Sequence, residues 1–159
     1  VAEDGGDDLG LALEAGGEVT GIIPEFLIER EKALDGGKRG VIVTADMHER
    51  KRTMFEMADA FVALPGGIGT LEELVEQMTW VQLGQHRKPL LLLNLRQFWN
   101  PLLALLEHLQ QRGFIRKGSF NFLVAEQVEQ IVPMLRDAAR DIPEAELRNG
   151  LARVVAQEM

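Results

Sequence analysis

Short apolar runs alternate along this chain with stretches of helical periodicity. Residues 19–23 (VTGII), 40–44 (GVIVT), 60–64 (AFVAL), 89–93 (PLLLL) and 120–124 (FNFLV) each read as a strand. Pro24 ends the first of these, and Pro65-Gly66-Gly67 closes the third. Leu71, Leu74, Val75, Met78 and Val81 fall on one helical face, with Glu72, Glu73, Glu76 and Gln77 opposite. Trp99, Leu102, Leu103, Leu106 and Leu109 repeat the pattern, with Asn100-Pro101 at the start of the helix and Gly113 past its end. Val128, Ile131, Val132 and Leu135 form another stripe, interrupted by Pro133, a residue that a helix interior tolerates poorly. Asp46 and Glu49 have the spacing of an N-cap and its capping-box partner, which starts a further helix near Met47.

Continuously apolar strands separated by amphipathic helices predict an α/β fold: a parallel sheet with helices on both faces. Residues 1–140 read as a single domain. Asp141-Ile142-Pro143 sets off a polar tail over 141–159, with room for a short surface helix.

Hydrophobic residues make up 46% of the 159, enough to bury a sizeable core. The net charge of −8 gives an acidic surface, which argues against nucleic acid or an anionic membrane as partner. A small phosphorylated ligand needs only a local pocket and stays compatible. The chain has no cysteine, so disulfides and thiolate metal sites are absent. His48, His86 and His108 lie far apart, and none has a partner at metal-ligand spacing. The strongly apolar run 89–93 is far too short to span a bilayer. With no signal peptide visible, a cytoplasmic protein is the expectation.

Three features carry candidate chemistry. Leu64-Pro65-Gly66-Gly67-Ile68-Gly69-Thr70 joins a strand to a helix, where ligands bind in open parallel sheets. Glycines allow close backbone approach, and a helix start offers N–H donors suited to phosphate; Thr70 fits either a helix cap or a phosphate contact. The turn lacks the G-x-G-x-x-G spacing and the lysine of a triphosphate loop, and the residues alone leave a plain tight turn equally open. The second feature is Arg50-Lys51-Arg52 near the start of the helix from Met47, where cations oppose the helix dipole unless an anion binds there. A solvated cluster balanced by Glu49 and Glu56 is the other reading. The third is Glu72 and Glu73, placed in the first turn after the glycines, either as dipole partners or as carboxylates reached by the ribose of a bound nucleotide.

Met47-His48-Glu49-Arg50-Lys51 and Pro65-Gly66-Gly67-Ile68-Gly69-Thr70-Leu71-Glu72-Glu73 together match two motifs, M-x-x-R-K and P-G-G-x-G-T-x-x-E, complete and in order. The chain thereby resembles the LONELY GUY (LOG) family from about Gly16 to Glu126. The resemblance implies a Rossmann-like fold, a homodimer, and hydrolysis of the N-glycosidic bond of a purine (cytokinin or adenosine) nucleoside 5′-monophosphate. The products would be the free base and ribose 5-phosphate, with no cofactor and no metal. Gly66, Gly67, Gly69 and Thr70 would cradle the 5′-phosphate, Arg50 and Glu73 would form the catalytic pair, Met47 would pack against the base, and Lys51 would support the phosphate side. Trp80, Val81 and Leu83 are candidates for the dimer interface or for ordinary core. Many members carry a lysine decarboxylase label, yet no cofactor-anchoring lysine motif is present here. A broader nucleoside monophosphate hydrolase, or a non-catalytic nucleotide or molybdenum-cofactor binder, are the alternatives; the intact Arg50 and Glu73 speak against the last. The family pattern begins with further strands and a G-G-G-x-x-G-L-M-G segment, of which Gly5-Gly6 would be a remnant. The resemblance therefore implies a fold incomplete at the N-terminal side of these residues.

Overall fold

A computed structural model describes residues 13–28, 40–116, 118, 122–140 and 142–143. It divides into two compact units between Met57 and Ala58. The tail beyond residue 143, the Gly5-Gly6 pair and residues 120–121 of the expected fifth strand lie outside the described residues.

In the first unit, β1 (Thr20–Pro24) and β2 (Gly40–Thr44) form a parallel pair, in register from Thr20 opposite Gly40 to Pro24 opposite Thr44. Pro24 is thus the last strand residue and not the first residue after it. A strand end tolerates proline because the missing N–H interrupts nothing further along the ladder. Helix α1 (Met47–Met57) packs on both strands and buries Phe55. Its start follows the expected chemistry with one shift. The Glu49 N–H donates to Asp46 Oδ1 at 2.8 Å, while Glu49 Oε2 accepts from the Ala45 N–H at 2.6 Å, one residue earlier than a capping box would place it.

The second unit is a three-stranded parallel sheet in the order β3 (Phe61–Ala63), β4 (Leu90–Leu93), β5 (Leu123–Ala125). All four residues of β4 are buried. Leu90 and Leu92 join Ala63, Leu74, Met78 and Trp99 in one cluster, under α2 (Ile68–Gln82) and α3 (Asn100–Gln111). Leu91 and Leu93 join Ala125 on the opposite face, against Ile131, Met134 and Leu135 of α4 (Ile131–Ala139). The sheet is therefore covered on both sides. Each leucine so buried contributes about 2 kcal/mol.

The helices depart from the expected pattern in phase more than in position. In α2, Val75 is 45% exposed, whereas Gln77 is buried and Glu73 and Glu76 are half-buried. The helix is rotated so that its glutamate flank turns inward. Val128, in the 3-10 turn before α4, and Val132 are exposed, and Ile131, Met134 and Leu135 carry the packing. Pro133 sits in the first turn, where no intrahelical N–H bond is lost, so it does not break the helix. Both long helices of this unit end in Schellman motifs. Gly113 at φ 80° lets the Phe114 N–H reach the Leu109 carbonyl at 2.9 Å, and the Gln85 N–H bonds the Trp80 carbonyl at 2.9 Å in the same way.

Two polar assemblies flank β4. At its amino end, Lys88 is 2% exposed and its ammonium donates to the Ala58 carbonyl at 2.8 Å. His86 Nδ1 accepts from the Lys88 N–H at 3.1 Å, and its ring lies tilted against Phe61. At the carboxyl end, Asn94 takes the Ala125 carbonyl through its N–H at 2.7 Å, while its Oδ1 accepts from the Trp99 N–H at 2.8 Å and its Nδ2 donates to Asn100 at 2.9 Å. Between these anchors Arg96 and Gln97 adopt φ of 49° and 63°, a region costing a side-chain-bearing residue about 1–2 kcal/mol.

Burial, and next the neighbouring Lys88 charge, push the His86 pKa down to about 4 from 6.5. Above pH 6.5 the ring is neutral whether the chain is folded or not, and this group adds no pH dependence. Below it the unfolded chain takes a proton that the folded one refuses, so stability falls as pH drops from about 6.5 to about 4, by up to ~3 kcal/mol. Urea unfolding at pH 7 and pH 5 should show this loss in the native sequence. It should be largely absent in His86→Asn, whose Oδ1 can still accept from the Lys88 N–H. Equal losses in both proteins would exclude His86 as the source.

Candidate functional site

The two motifs fall in different units, and each is built by its own local structure. In the first unit Met47, Arg50 and Lys51 all lie in the opening turns of α1, directly after β2. Met47 and Lys51 are half-buried and Arg52 is exposed. Arg50 is not a solvated charge. It is half-buried, and its Nε donates to the Ile22 carbonyl of β1 at 3.0 Å. The bond spends one of five guanidinium donors and fixes the plane of the group over the strand. Glu49, the nearest acid in sequence, is committed to the Ala45 N–H.

In the second unit Gly66, Gly67, Gly69, Thr70 and Glu73 are gathered around the start of α2, at the carboxyl end of β3. The helix begins at Ile68, three residues before its first core-facing leucine, because Ile68 is 83% exposed and gives no periodic signal. Gly67 is the N-cap, with extended backbone angles and no side-chain cap bond. Thr70 is therefore not the cap. It is the third helical residue, and its side chain lies beneath Gly66. A Cβ on Gly66 would stand 2.9 Å from the Thr70 Cβ and closer still to its hydroxyl. Glycine at 66 is required by this contact, whereas at Gly67 and Gly69 a Cβ would meet nothing within 4 Å. Those two positions leave the backbone open to a ligand.

Glu72 and Glu73 belong to the second turn of α2, not the first, and no acid occupies the first turn. The dipole explanation of these glutamates weakens accordingly, since that effect fades beyond the first turn. Thr70 and Glu73 are three apart and share a face. Glu73 stands about 9 Å along the axis from the Gly67 cap at 1.5 Å per residue. A phosphate at the cap and a carboxylate one sugar away fit that spacing. Glu73 is half-buried and Glu72 is exposed, so the inner glutamate is the better placed of the two.

Sequence reasoning missed the Asn94 to Gln97 turn. It follows β4, whose Leu92 pairs with Ala63 of β3, and so it lies at the same sheet end as the glycine turn, one strand over. The run Asn94-Leu95-Arg96-Gln97 carries no glycine to announce left-handed backbone, and the Asn94 bonds that hold it reach outside the run, to Trp99, Asn100 and Ala125. No cluster of three or more His, Asp or Glu able to hold a metal occurs among the described residues, and no described helix is long and apolar enough to cross a membrane.

Residues 10–135 match the protein family described as "Possible lysine decarboxylase". The chain is 42% identical over 126 residues to a cytokinin riboside 5′-monophosphate phosphoribohydrolase of Rhodococcoides fascians, covering 79% of this chain and 64% of that protein. It is 46% identical over 124 residues to a protein of the same description from Arabidopsis thaliana, covering 77% of this chain and 54% of the relative. A probable phosphoribohydrolase of that kind from Oryza sativa subsp. japonica is 44% identical over 128 residues, with 76% and 52% covered. The chain thus spans between half and two thirds of the length of these relatives.

The Gly66 contact makes a direct prediction. Gly66→Ala should destabilise the protein by about 1–3 kcal/mol through overpacking. Adding Thr70→Ala should recover part of that loss, because it removes the hydroxyl that the new Cβ strikes first. A double-mutant cycle in thermal unfolding reads the coupling, and strictly additive effects would refute the contact.

Proposed function

The chain belongs to the LONELY GUY family, the one described as possible lysine decarboxylases, and from that premise we propose that it hydrolyses the N-glycosidic bond of a purine nucleoside 5′-monophosphate. The products are the free base and ribose 5-phosphate. The observation that carries this reading is the α2 start: an uncapped glycine turn followed, about two helical turns along, by a half-buried glutamate. A decarboxylation reading has no comparable support, because no residue pattern for anchoring the needed cofactor is present.

In this reading the 5′-phosphate rests on the N–H groups at Gly67 and Gly69, with the Thr70 side chain beside it. Cleavage builds positive charge on the ribose as the base departs. The Glu73 carboxylate stabilises that charge, holds a ribose hydroxyl and orients the attacking water. Arg50, steadied by the Ile22 carbonyl, supplies a fixed cation for the ribose, the phosphate or the leaving base. Met47 contacts the base and Lys51 assists on the phosphate side. The adenine-type base with or without a cytokinin side chain is the substrate class, and the reaction uses no cofactor.

Incubation with isopentenyladenosine monophosphate, adenosine monophosphate and the matching nucleosides tests the reaction. Base release from a nucleotide and not from its nucleoside is the expected result. Release from neither nucleotide, with binding retained, would move the assignment to a carrier. Glu73→Gln should lower turnover by at least about a hundredfold while nucleotide binding persists. Full activity in that variant would refute the mechanism.

The same reading brings a cytoplasmic homodimer. Leu83 is 66% exposed and Trp80 and Val81 are half-buried, which makes Leu83 the most available of the three for a partner. Sedimentation should give a dimer at working concentration, and Leu83→Glu should shift it towards monomer. A monomeric native protein would remove the proposal.

A further inference from the structure

Resting on the hydrolase reading above, we infer that Arg96 is a second, specificity-determining ligand for the phosphoryl group of the nucleoside 5′-monophosphate, presented from the turn after β4. Three observations converge on it. The first is position. β3 and β4 are parallel neighbours with Ala63 opposite Leu92, and their carboxyl ends lead respectively into the glycine turn and into Asn94 to Gln97. Continuing that register by two residues sets Pro65 against Asn94, so the two turns stand side by side where an open sheet receives its ligand.

The second is the backbone. Arg96 and Gln97 are the only non-glycine residues with positive φ among those described, and they are consecutive. Glycine or asparagine would be at ease there. The conformation survives because Asn94 over-determines it, through the Ala125 carbonyl, the Trp99 N–H, the Asn100 side chain and the Gln97 N–H that donates to the Asn94 carbonyl at 3.1 Å. A strained residue held this firmly points to a role for its side chain.

The third is charge. Arg96 is exposed, and among the described residues its guanidinium makes no hydrogen bond or ion pair. In a chain of net charge −8 the ligand of such a cation is readily an anion, and a phosphoryl group accepts two parallel guanidinium bonds.

The strain separates this role from a structural one. Arg96→Gly relieves the backbone and removes the cation, so stability and binding should move in opposite directions. In the full-length protein, Arg96→Gly should keep or raise the unfolding temperature. The dissociation constant for ribose 5-phosphate and the KM for adenosine monophosphate should rise about tenfold, with kcat changed by less than about twofold. Binding of adenosine, which has no phosphate, should be unchanged, and Arg96→Lys should recover part of the affinity. Unchanged ribose 5-phosphate binding in Arg96→Gly, in a protein whose native form hydrolyses the nucleotide, would overturn the role of Arg96 alone. A native protein that neither binds ribose 5-phosphate nor releases base would overturn the hydrolase reading and this inference with it.

Discussion

Burial of β4 on both faces is the constraint on which the second unit depends. Four consecutive leucines can be removed from water only if helices cover each side of the sheet, and alternation along a strand divides them two and two. Leu90 and Leu92 recruit α2 and α3, and Leu91 and Leu93 recruit α4. The glycine turn owes its position to this arrangement. It connects β3, hydrogen-bonded to β4, with α2, whose Leu74 and Met78 are held by the same leucines. Chemistry at the start of α2 is thus placed by a mainly apolar core built on the β4 leucines.

What could be read from sequence alone follows from where each signal is stored. Strands β2 and β4 were legible to within a residue because continuous apolar runs are local. The capping pair Asp46 and Glu49, and Gly113 beyond α3, were legible because cap chemistry is confined to a few neighbouring residues. The phase of α2 was not. Periodicity sees that Leu74 and Met78 share a face, but it cannot see that Gln77 is drawn inward beside them or that Val75 is turned out. Pro133 misled in a similar way, since the penalty of a proline depends on whether its N–H would have had a partner.

The candidate site divides along the same line. The glycine turn and the two motifs announce themselves in the order of residues, yet the sequence could not say which glycine does which task. Gly66 answers to the side chain beneath it, and Gly67 and Gly69 to open space. The anchoring of Arg50 on the Ile22 carbonyl joins residues twenty-eight apart and leaves no local trace. The turn at Arg96 is the extreme case. Its backbone is dictated by the partners that Asn94 finds outside the run, at Trp99, Asn100 and Ala125, and the four residues alone do not predict it.

Lys88 lies at the opposite end of β4 from all of this, and its burial has a practical meaning. An ammonium that is 2% exposed and bonded to the Ala58 carbonyl is shielded from any reagent that attacks lysine amines. Such a reagent reaches it only when the entry to β4 opens, so the labelling rate of Lys88 follows local unfolding and not surface chemistry. The chain carries, at the edge of its most buried strand, a built-in clock for how often that strand comes loose.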